Sequence, residues 1–301
     1  MTFALYLKLV RWKNLALLVY LLCLLRFILL NTYQIPLKLH NFQFLFLVLS
    51  IVSIAGAGYI INDIKDVIAD SINKPKQVIV GQLIGLEQAK RWYFFTNSLG
   101  VISGVGLTIQ MQTPSYSFLF LLSAFLLFMY SHKLKSMPII GNIVVSLLIV
   151  LVVLLFGLFE LGEDWFSNEN KELAWVLLFL MGFAFFLNLV REIIKDIIDV
   201  NGDKKLNMWT LPILIGRQRC QNLAAFLCVF PLGLLLYIFI KYSLSYKFTI
   251  SFLLIFCFLP LLVMALKLIT LDNFDKLKLY SNYLKVIMFL GITSLLLIQY
   301  S

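Results

Sequence analysis

The chain has 301 residues, of which 61% are hydrophobic and 13% are charged, and its formal net charge is +10 at pH 7. Soluble domains are roughly 45–50% apolar and about 25% charged, so this composition excludes an ordinary water-soluble protein and indicates a polytopic membrane protein. The apolar runs are too long and too uniform for the alternating strands of an outer-membrane barrel.

Nine apolar segments follow one another along the chain, most of them close to the roughly 20 residues that a transmembrane helix needs. No linker rich in proline, glycine or serine divides them, and the first is predicted to be a retained span because it has no small-residue cleavage site. We therefore predict an all-α fold with nine transmembrane helices in a single bundle, forming one domain over residues 1–301. The segments lie near residues 14–32, 43–64, 89–110, 116–131, 139–159, 173–194, 220–240, 248–269 and 282–300. Pro231 and Pro260 lie inside spans and are expected to kink them.

The distribution of lysine and arginine predicts the orientation of these spans. With the N-terminus in the cytoplasm, 20 of the 25 basic residues fall on cytoplasmic segments, four fall on outer segments, and Arg26 lies within the first span. This bias predicts a multi-pass protein of the cell (inner) membrane with its N-terminus inside and its C-terminus outside. The net charge is thereby explained without a nucleic-acid partner. The outer loop after the fifth span is predicted to be solvated, with the acids Glu160, Glu163, Asp164, Glu169 and Glu172.

Two acidic stretches lie at the cytoplasmic ends of the second and sixth spans. If each stretch is helical, its acids share one face, because they recur three or four residues apart. Ionisable groups at membrane depth are costly, and they are usually paired and functional. The first stretch contains Asn62, Asp63, Asp66 and Asp70, and the second contains Glu192, Asp196, Asp199 and Asp203.

The composition of these stretches indicates a site for a metal and a phosphate. Carboxylates without histidine or cysteine nearby suit Mg²⁺, with Mn²⁺ as the alternative, and Mg²⁺ typically combines one or two carboxylates with substrate phosphates. Lysines and arginines between the acids can bind phosphate oxygens. Two facing acidic stripes therefore predict a clamp for a magnesium-bridged diphosphate. The alternative is that these are inert, salt-bridged charges at the membrane interface.

The two stretches resemble the motifs of the UbiA superfamily of intramembrane prenyltransferases. The first matches the pattern Asn-Asp-x-x-Asp-x-x-x-Asp and the second matches Asp-x-x-Asp-x-x-x-Asp. Further similar segments are Ile72 to Lys76, Gly202 to Lys205, Thr210-Leu211-Pro212 with Gly216, Tyr130 to Lys135 with Gly141-Asn142, and Arg11 with Asn14. The chain departs from the family at Gln77, where arginine is common, and at Asn207, where glycine is common.

The resemblance implies Mg²⁺-dependent transfer of a prenyl group from a prenyl diphosphate to a lipophilic acceptor, inside the bilayer and with no obligate protein partner. It implies that the acids hold metal or orient the diphosphate, that basic residues and Asn62 bind the substrate, and that Tyr130 contacts the diphosphate or the reacting carbon. The expected metal set is Asp63, Asp66, Asp70, Asp196, Asp199 and Asp203, and the expected substrate-binding set is Arg11, Asn62, Lys135 and Lys195.

The acceptor is less firmly indicated than the reaction. The second stretch and the loop at Lys276 to Lys285 are similar to the branch of digeranylgeranylglyceryl phosphate synthases, which favours geranylgeranylglyceryl phosphate as the acceptor and ether-lipid synthesis as the role. Prenylation of an aromatic quinone precursor, such as 4-hydroxybenzoate or dihydroxynaphthoate, is the alternative. A cation-coupled transporter is the alternative from another class, since transporters also carry acids within their membrane spans.

Overall fold

The computed structural model describes residues 2–73, 75, 78–162, 165–167, 170–270 and 274–300. Over these residues the fold is helical, and the single β-bridge joins Val80 to Ile84. The helices are α1 Thr2–Leu9, α2 Trp12–Thr32, α3 Asn41–Lys65, α4 Val67–Asn73, α5 Leu86–Gln110, α6 Pro114–His132, α7 Ile140–Leu161, α8 Lys171–Lys205, α9 Leu211–Ile215, α10 Arg217–Tyr242, α11 Lys247–Ile269 and α12 Leu277–Tyr300.

The nine predicted spans correspond one to one with the nine long helices of the described residues. Eight of them are long and apolar enough to cross a membrane. The ninth, α5, has 25 residues but begins with the charged side chains Glu87, Lys90 and Arg91, which lower its hydropathy. The prediction of an all-α, multi-pass membrane protein is confirmed.

The two acidic stretches differ in backbone structure. Helix α8 runs for 35 residues, well beyond the predicted end near residue 194, and carries the whole second stretch on one continuous helix. Helix α3 ends at Lys65, and Asp66 leaves the helical conformation with φ −89° and ψ 4° before α4 begins. A single continuous helix is therefore the wrong expectation for the first stretch.

Both predicted kinks coincide with breaks in helical geometry. Helix α11 contains a π-helical turn at Leu254–Phe258, directly before Pro260. In α10 the α-helical pattern is interrupted at Cys228, three residues before Pro231. Proline has no N–H to donate and its ring crowds the preceding turn, so the backbone widens or breaks there.

The described chain divides into two compact units, each drawn from three stretches of sequence. The first comprises Met1–Tyr20, Leu39–Val144 and Asn201–Trp209, and the second comprises Leu21–Lys38, Val145–Val200 and Thr210–Ser301. Helices α2 and α8 contribute residues to both.

In the first unit, α3 packs closely against α5 and α6 through glycines. A Cβ atom at Gly100 would lie 2.9 Å from the backbone nitrogen of Ile54, and one at Gly104 would lie 2.6 Å from Ser50 Oγ. Small residues allow such close approach in membranes, where helix association depends on van der Waals packing more than on the hydrophobic effect. This packing fixes the middle of α3, whose C-terminal end carries the first residues of the first motif.

In the second unit, Arg26 and Glu160 form an ion pair in the interior. Their exposed fractions are 1% and 0%, and Arg26 Nη1 donates to Glu160 Oε1. The backbone N–H of Lys38 donates to Glu160 Oε2 at 3.0 Å. The expectation that Glu160 belongs to a solvated loop is therefore wrong: it neutralises the arginine that interrupts the first span. Glu163, Asp164 and Glu169 of the same expectation lie outside the described residues.

We predict that Glu160→Gln lowers the stability of the detergent-solubilised protein by about 3–5 kcal/mol, because it leaves Arg26 buried beside a neutral partner. Thermal unfolding monitored by circular dichroism provides the measurement. Replacing both partners with apolar residues, Arg26→Met with Glu160→Leu, should recover most of the loss. The exposed Glu172→Gln is the matched control. Equal losses for Glu160→Gln and Glu172→Gln would contradict the role of the pair.

Candidate active site

Arg11 lies in the break between α1 and α2 and faces the first motif. Its φ of 53° is left-handed, which costs a residue with a side chain on the order of 1 kcal/mol. Its Nη2 donates to Asp63 Oδ1 at 2.8 Å, and its guanidinium lies 4.9 Å from the centre of the Tyr59 ring. Asn14 Nδ2 donates to the hydroxyl of the same tyrosine at 3.2 Å. The side chains of Arg11 and Asn14, at the break between α1 and α2, thus both contact residues of α3.

Asp66 is the central carboxylate of the first unit. It is 4% exposed, and its Oδ2 accepts a hydrogen bond from Asn62 Nδ2 at 2.7 Å and another from Lys135 Nζ. It follows the C-terminus of α3, where the helix dipole places about half a negative charge. Two sources of negative charge, the carboxylate and the helix C-terminus, therefore favour a cation at this position.

Lys135 lies on the short 3₁₀ helix Leu134–Ser136 that follows α6. Burial alone would lower the pKa of this ammonium, but the neighbouring Asp66 raises it, with Asp203 and Asp70 adding smaller contributions in the same direction. The net pKa lies above the ordinary value for lysine, so the side chain keeps its positive charge at physiological pH.

The last turn of α8 belongs to the first unit and brings Asp203 to the motif. The helix ends in a Schellman motif: Met208 N–H donates to Asp203 O at 3.0 Å and Asn207 N–H to Lys204 O at 3.2 Å. Asn207 has the left-handed φ of 52° that this cap requires. Asparagine tolerates this conformation better than other non-glycine residues, which accounts for the departure from the family at this position.

Asn73 joins the two motifs through a backbone contact. Its Oδ1 accepts a hydrogen bond from the backbone N–H of Gly202 at 2.9 Å, and a Cβ atom at Gly202 would lie 2.4 Å from Asn73 Nδ2. Trp209 N–H donates to Ser136 O at 3.0 Å nearby. Asn73 lies in the similar segment Ile72 to Lys76, and neither its residue type nor its spacing predicts this positioning role.

Seven predicted site residues are thus neighbours within the first unit, through direct contacts or through their electrostatic influence on Arg11 and Lys135. Asp70 raises the pKa of both basic groups, and Tyr130, partly buried, lies two residues before the end of α6. The seven are Arg11, Asn62, Asp63, Asp66, Asp70, Lys135 and Asp203.

Asp196 and Asp199 lie two turns and one turn before Asp203 on the continuous helix α8. The spacing of three and four residues places all three on one face, as predicted. Lys195 instead pairs with Glu192: its Nζ lies 2.7 Å from Glu192 Oε2, while Arg191 Nη1 lies 2.8 Å from Oε1. The structure therefore shows Lys195 as a partner of Glu192, and its predicted contact with phosphate stays a prediction.

The fit of the site to a metal ion depends on its oxygen donors. Among the described residues, no group of three acidic, histidine or cysteine side chains is close enough to share one ion. Asp63 and Asp66 instead contact Arg11 and Lys135. Asn62 Oδ1 is buried and accepts no hydrogen bond from the described residues. Carboxylate and amide oxygens are hard ligands that suit Mg²⁺.

Lys74, Lys76 and the departure at Gln77 lie outside the described residues.

Long apolar helices with acidic and basic side chains paired at a helix end are typical of a membrane-embedded protein with a functional polar site. The model of the UbiA prenyltransferase family matches residues 16–290. The chain belongs to this family and is a prenyltransferase, so the transporter alternative is set aside.

Curated relatives and solved structures agree with this membership. The chain is 32% identical over 198 residues to the digeranylgeranylglyceryl phosphate synthase of Methanobrevibacter smithii, covering 65% of this chain and 67% of that protein. It is 30% identical over 246 residues to the synthase of the same name from Saccharolobus solfataricus, covering 81% and 80%.

Two solved structures share the fold. One, described as digeranylgeranylglyceryl phosphate synthase, superposes with a TM-score of 0.67 at 24% identity and covers 99% of this chain and 98% of that one. The other is a UbiA homologue from Archaeoglobus fulgidus bound to DMAPP and Mg²⁺, with a TM-score of 0.59 at 16% identity and coverage of 96% and 98%.

We predict that Gly202→Ala destabilises the protein only while Asn73 is present, because the new methyl group collides with its amide. In the Asn73→Ala background the same substitution should be neutral or stabilising, since alanine favours helix by about 1 kcal/mol over glycine. Unfolding temperatures of the four proteins in this double-mutant cycle provide the measurement. Gly106→Ala is the control, because a Cβ atom there meets nothing within 4 Å. Additive effects at Gly202 and Asn73 would refute the contact.

Proposed function

We propose that this prenyltransferase transfers a geranylgeranyl group from geranylgeranyl diphosphate to geranylgeranylglyceryl phosphate in ether-lipid synthesis. The allylic carbon–oxygen bond of the donor breaks, diphosphate leaves, and an ether bond forms with the acceptor hydroxyl, which releases its proton. The choice of acceptor is supported by similarity to relatives named digeranylgeranylglyceryl phosphate synthase, one of which is 30% identical over four fifths of the chain.

The acidic motifs are proposed to bind a divalent metal together with the diphosphate. Asp63, Asp66, Asp70, Asp196, Asp199 and Asp203 would supply carboxylate oxygens, with Asn62 Oδ1 as a neutral donor. Bound Mg²⁺ would neutralise charge that develops on the leaving diphosphate. The Archaeoglobus homologue with DMAPP and Mg²⁺ supports this assignment, and Mn²⁺ would suit the same oxygen ligands.

Arg11 and Lys135 are proposed to exchange their carboxylate partners for phosphate oxygens when the substrate binds. When these two side chains move to phosphate, the carboxylates that they leave would become available to the metal ion. One rearrangement would therefore allow both the diphosphate and the metal to bind. Arginine and lysine placed at a leaving diphosphate stabilise the charge of the transition state. Lys195 would join them only by leaving Glu192. Tyr130 is proposed to contact the diphosphate or the reacting carbon.

The membrane placement is proposed to protect the allylic cation. Hydrocarbon surroundings keep water away from this intermediate, which would otherwise be hydrolysed. The bias of 20 basic residues against four supports a cytoplasmic N-terminus and active site in the cell membrane. We propose that the whole chain serves as one prenyltransferase domain without an obligate protein partner.

The proposal is tested with purified protein, Mg²⁺, labelled geranylgeranyl diphosphate and a panel of acceptors. The panel contains geranylgeranylglyceryl phosphate, 4-hydroxybenzoate and dihydroxynaphthoate, and we expect labelled product only with the first. Asp66→Ala should lower this rate by about 10²-fold or more. Glu87→Gln, which changes an exposed acid on α5, should leave the rate unchanged. Product with an aromatic acid alone would contradict the acceptor and leave the family unaffected.

A further inference from the structure

The second unit contains a cavity at the end of α8 opposite to Asp196. Its volume is about 220 Å³, and its walls come from α8, α10, α11 and α12. Glu172 and Trp175 line it at the start of α8, 24 residues before Asp196 on the same helix. At 1.5 Å per residue this is about 36 Å, more than the roughly 30 Å hydrocarbon thickness of a bilayer. The cavity therefore belongs to the opposite leaflet from the aspartates.

The cavity is apolar in its depth. Leu180 on α8, Leu234 on α10 and Leu253 on α11 line its walls. Leu180 lies eight residues beyond Glu172, which places it about 12 Å deeper along the helix axis. A slot of this depth, closed by leucine and phenylalanine side chains, matches an extended hydrocarbon chain.

The rim of the cavity is aromatic and polar. The hydroxyls of Tyr33 and Tyr246 lie 3.3 Å apart, and both residues line the cavity. Tyrosine and tryptophan at a helix end are typical of the membrane–water interface, because their rings are apolar and their polar atoms meet water. The opening is thus at the level of lipid headgroups.

Lys241 supplies a cation to this rim. Its Nζ donates to the Tyr237 hydroxyl at 3.3 Å and lies 5.0 to 5.7 Å from the ring centres of Tyr242, Tyr237 and Trp175. Three rings restrict where the exposed ammonium can point. Lysine at such a place binds phosphate as a point charge, and the carboxylate of Glu172 on the same rim can accept a hydrogen bond from a headgroup hydroxyl or amine.

We propose that this cavity binds one phospholipid of the opposite leaflet, with a hydrocarbon chain in the slot and its phosphate at Lys241. The apolar depth and the cationic rim match the two parts of such a molecule, and the depth of the opening in the bilayer matches its headgroup. The site is separate from the reaction and would hold the outer ends of α8, α10, α11 and α12 together through a bound lipid.

The test places the full-length protein in vesicles with phosphatidylglycerol that carries a diazirine in one acyl chain. After illumination, mass spectrometry should find crosslinks concentrated in residues 172–180 and 234–253. Lys241→Gln should reduce crosslinking about fivefold, the effect of one basic residue near a membrane surface. Lys247→Gln is the matched control: it removes an exposed lysine near the same helix ends that does not line the cavity, and it should change nothing.

Additional measurements distinguish a bound phospholipid from nonspecific lipid contact and from binding of the prenyl substrate. Val176→Trp, which fills the slot, should abolish the localised crosslinks, and a diazirine-bearing diacylglycerol without phosphate should crosslink about fivefold less than phosphatidylglycerol. Crosslinks spread evenly over all lipid-facing helices and insensitive to these variants would overturn the proposal. Displacement of the lipid by geranylgeranyl diphosphate would also overturn it, by assigning the cavity to the prenyl substrate. None of these readouts depends on transferase activity.

Discussion

The cost of placing charge in hydrocarbon governs this structure. An ionised side chain in a membrane interior must be paired or must reach water, and three of the pairs in this chain join residues that are far apart in the sequence. Arg26 meets Glu160 across 134 residues, Arg11 meets Asp63 across 52, and Lys135 meets Asp66 across 69. These pairs join segments that are far apart in the sequence.

The same rule separates structural pairs from functional ones. Arg26 and Glu160 are buried completely, so we assign their pairing a role in the stability of the second unit. The two pairs at the motif keep more access to solvent, with Arg11 38% and Lys135 24% exposed. Solvent-accessible pairs can change partners at lower cost than buried ones, because water compensates part of the lost interaction. That property suits residues proposed to exchange carboxylate for phosphate.

The sequence alone predicted the helical class and the nine long helices, because apolar length is a local signal. It also selected seven candidate site residues that the structure places near one another, and their roles stay predictions. It could not predict features that depend on contacts between distant segments. The break at Asp66 follows no proline or glycine, Glu160 is one of five acids predicted to lie in a solvated loop, and the predicted phosphate contact of Lys195 did not include its pairing with Glu192. Asn207 looked like a departure until its left-handed φ showed that it performs the cap of the usual glycine.

The central claim is that both acidic motifs bind one magnesium–diphosphate unit. Calorimetric titration of the purified protein with inorganic diphosphate, with and without Mg²⁺, tests it most directly. The account predicts that each ligand strengthens binding of the other by the same factor, as linkage requires, and that Asp66→Asn and Asp199→Asn each abolish this mutual effect. If diphosphate bound equally well without Mg²⁺, or if only one of the two variants changed the coupling, the motifs would not form a shared site.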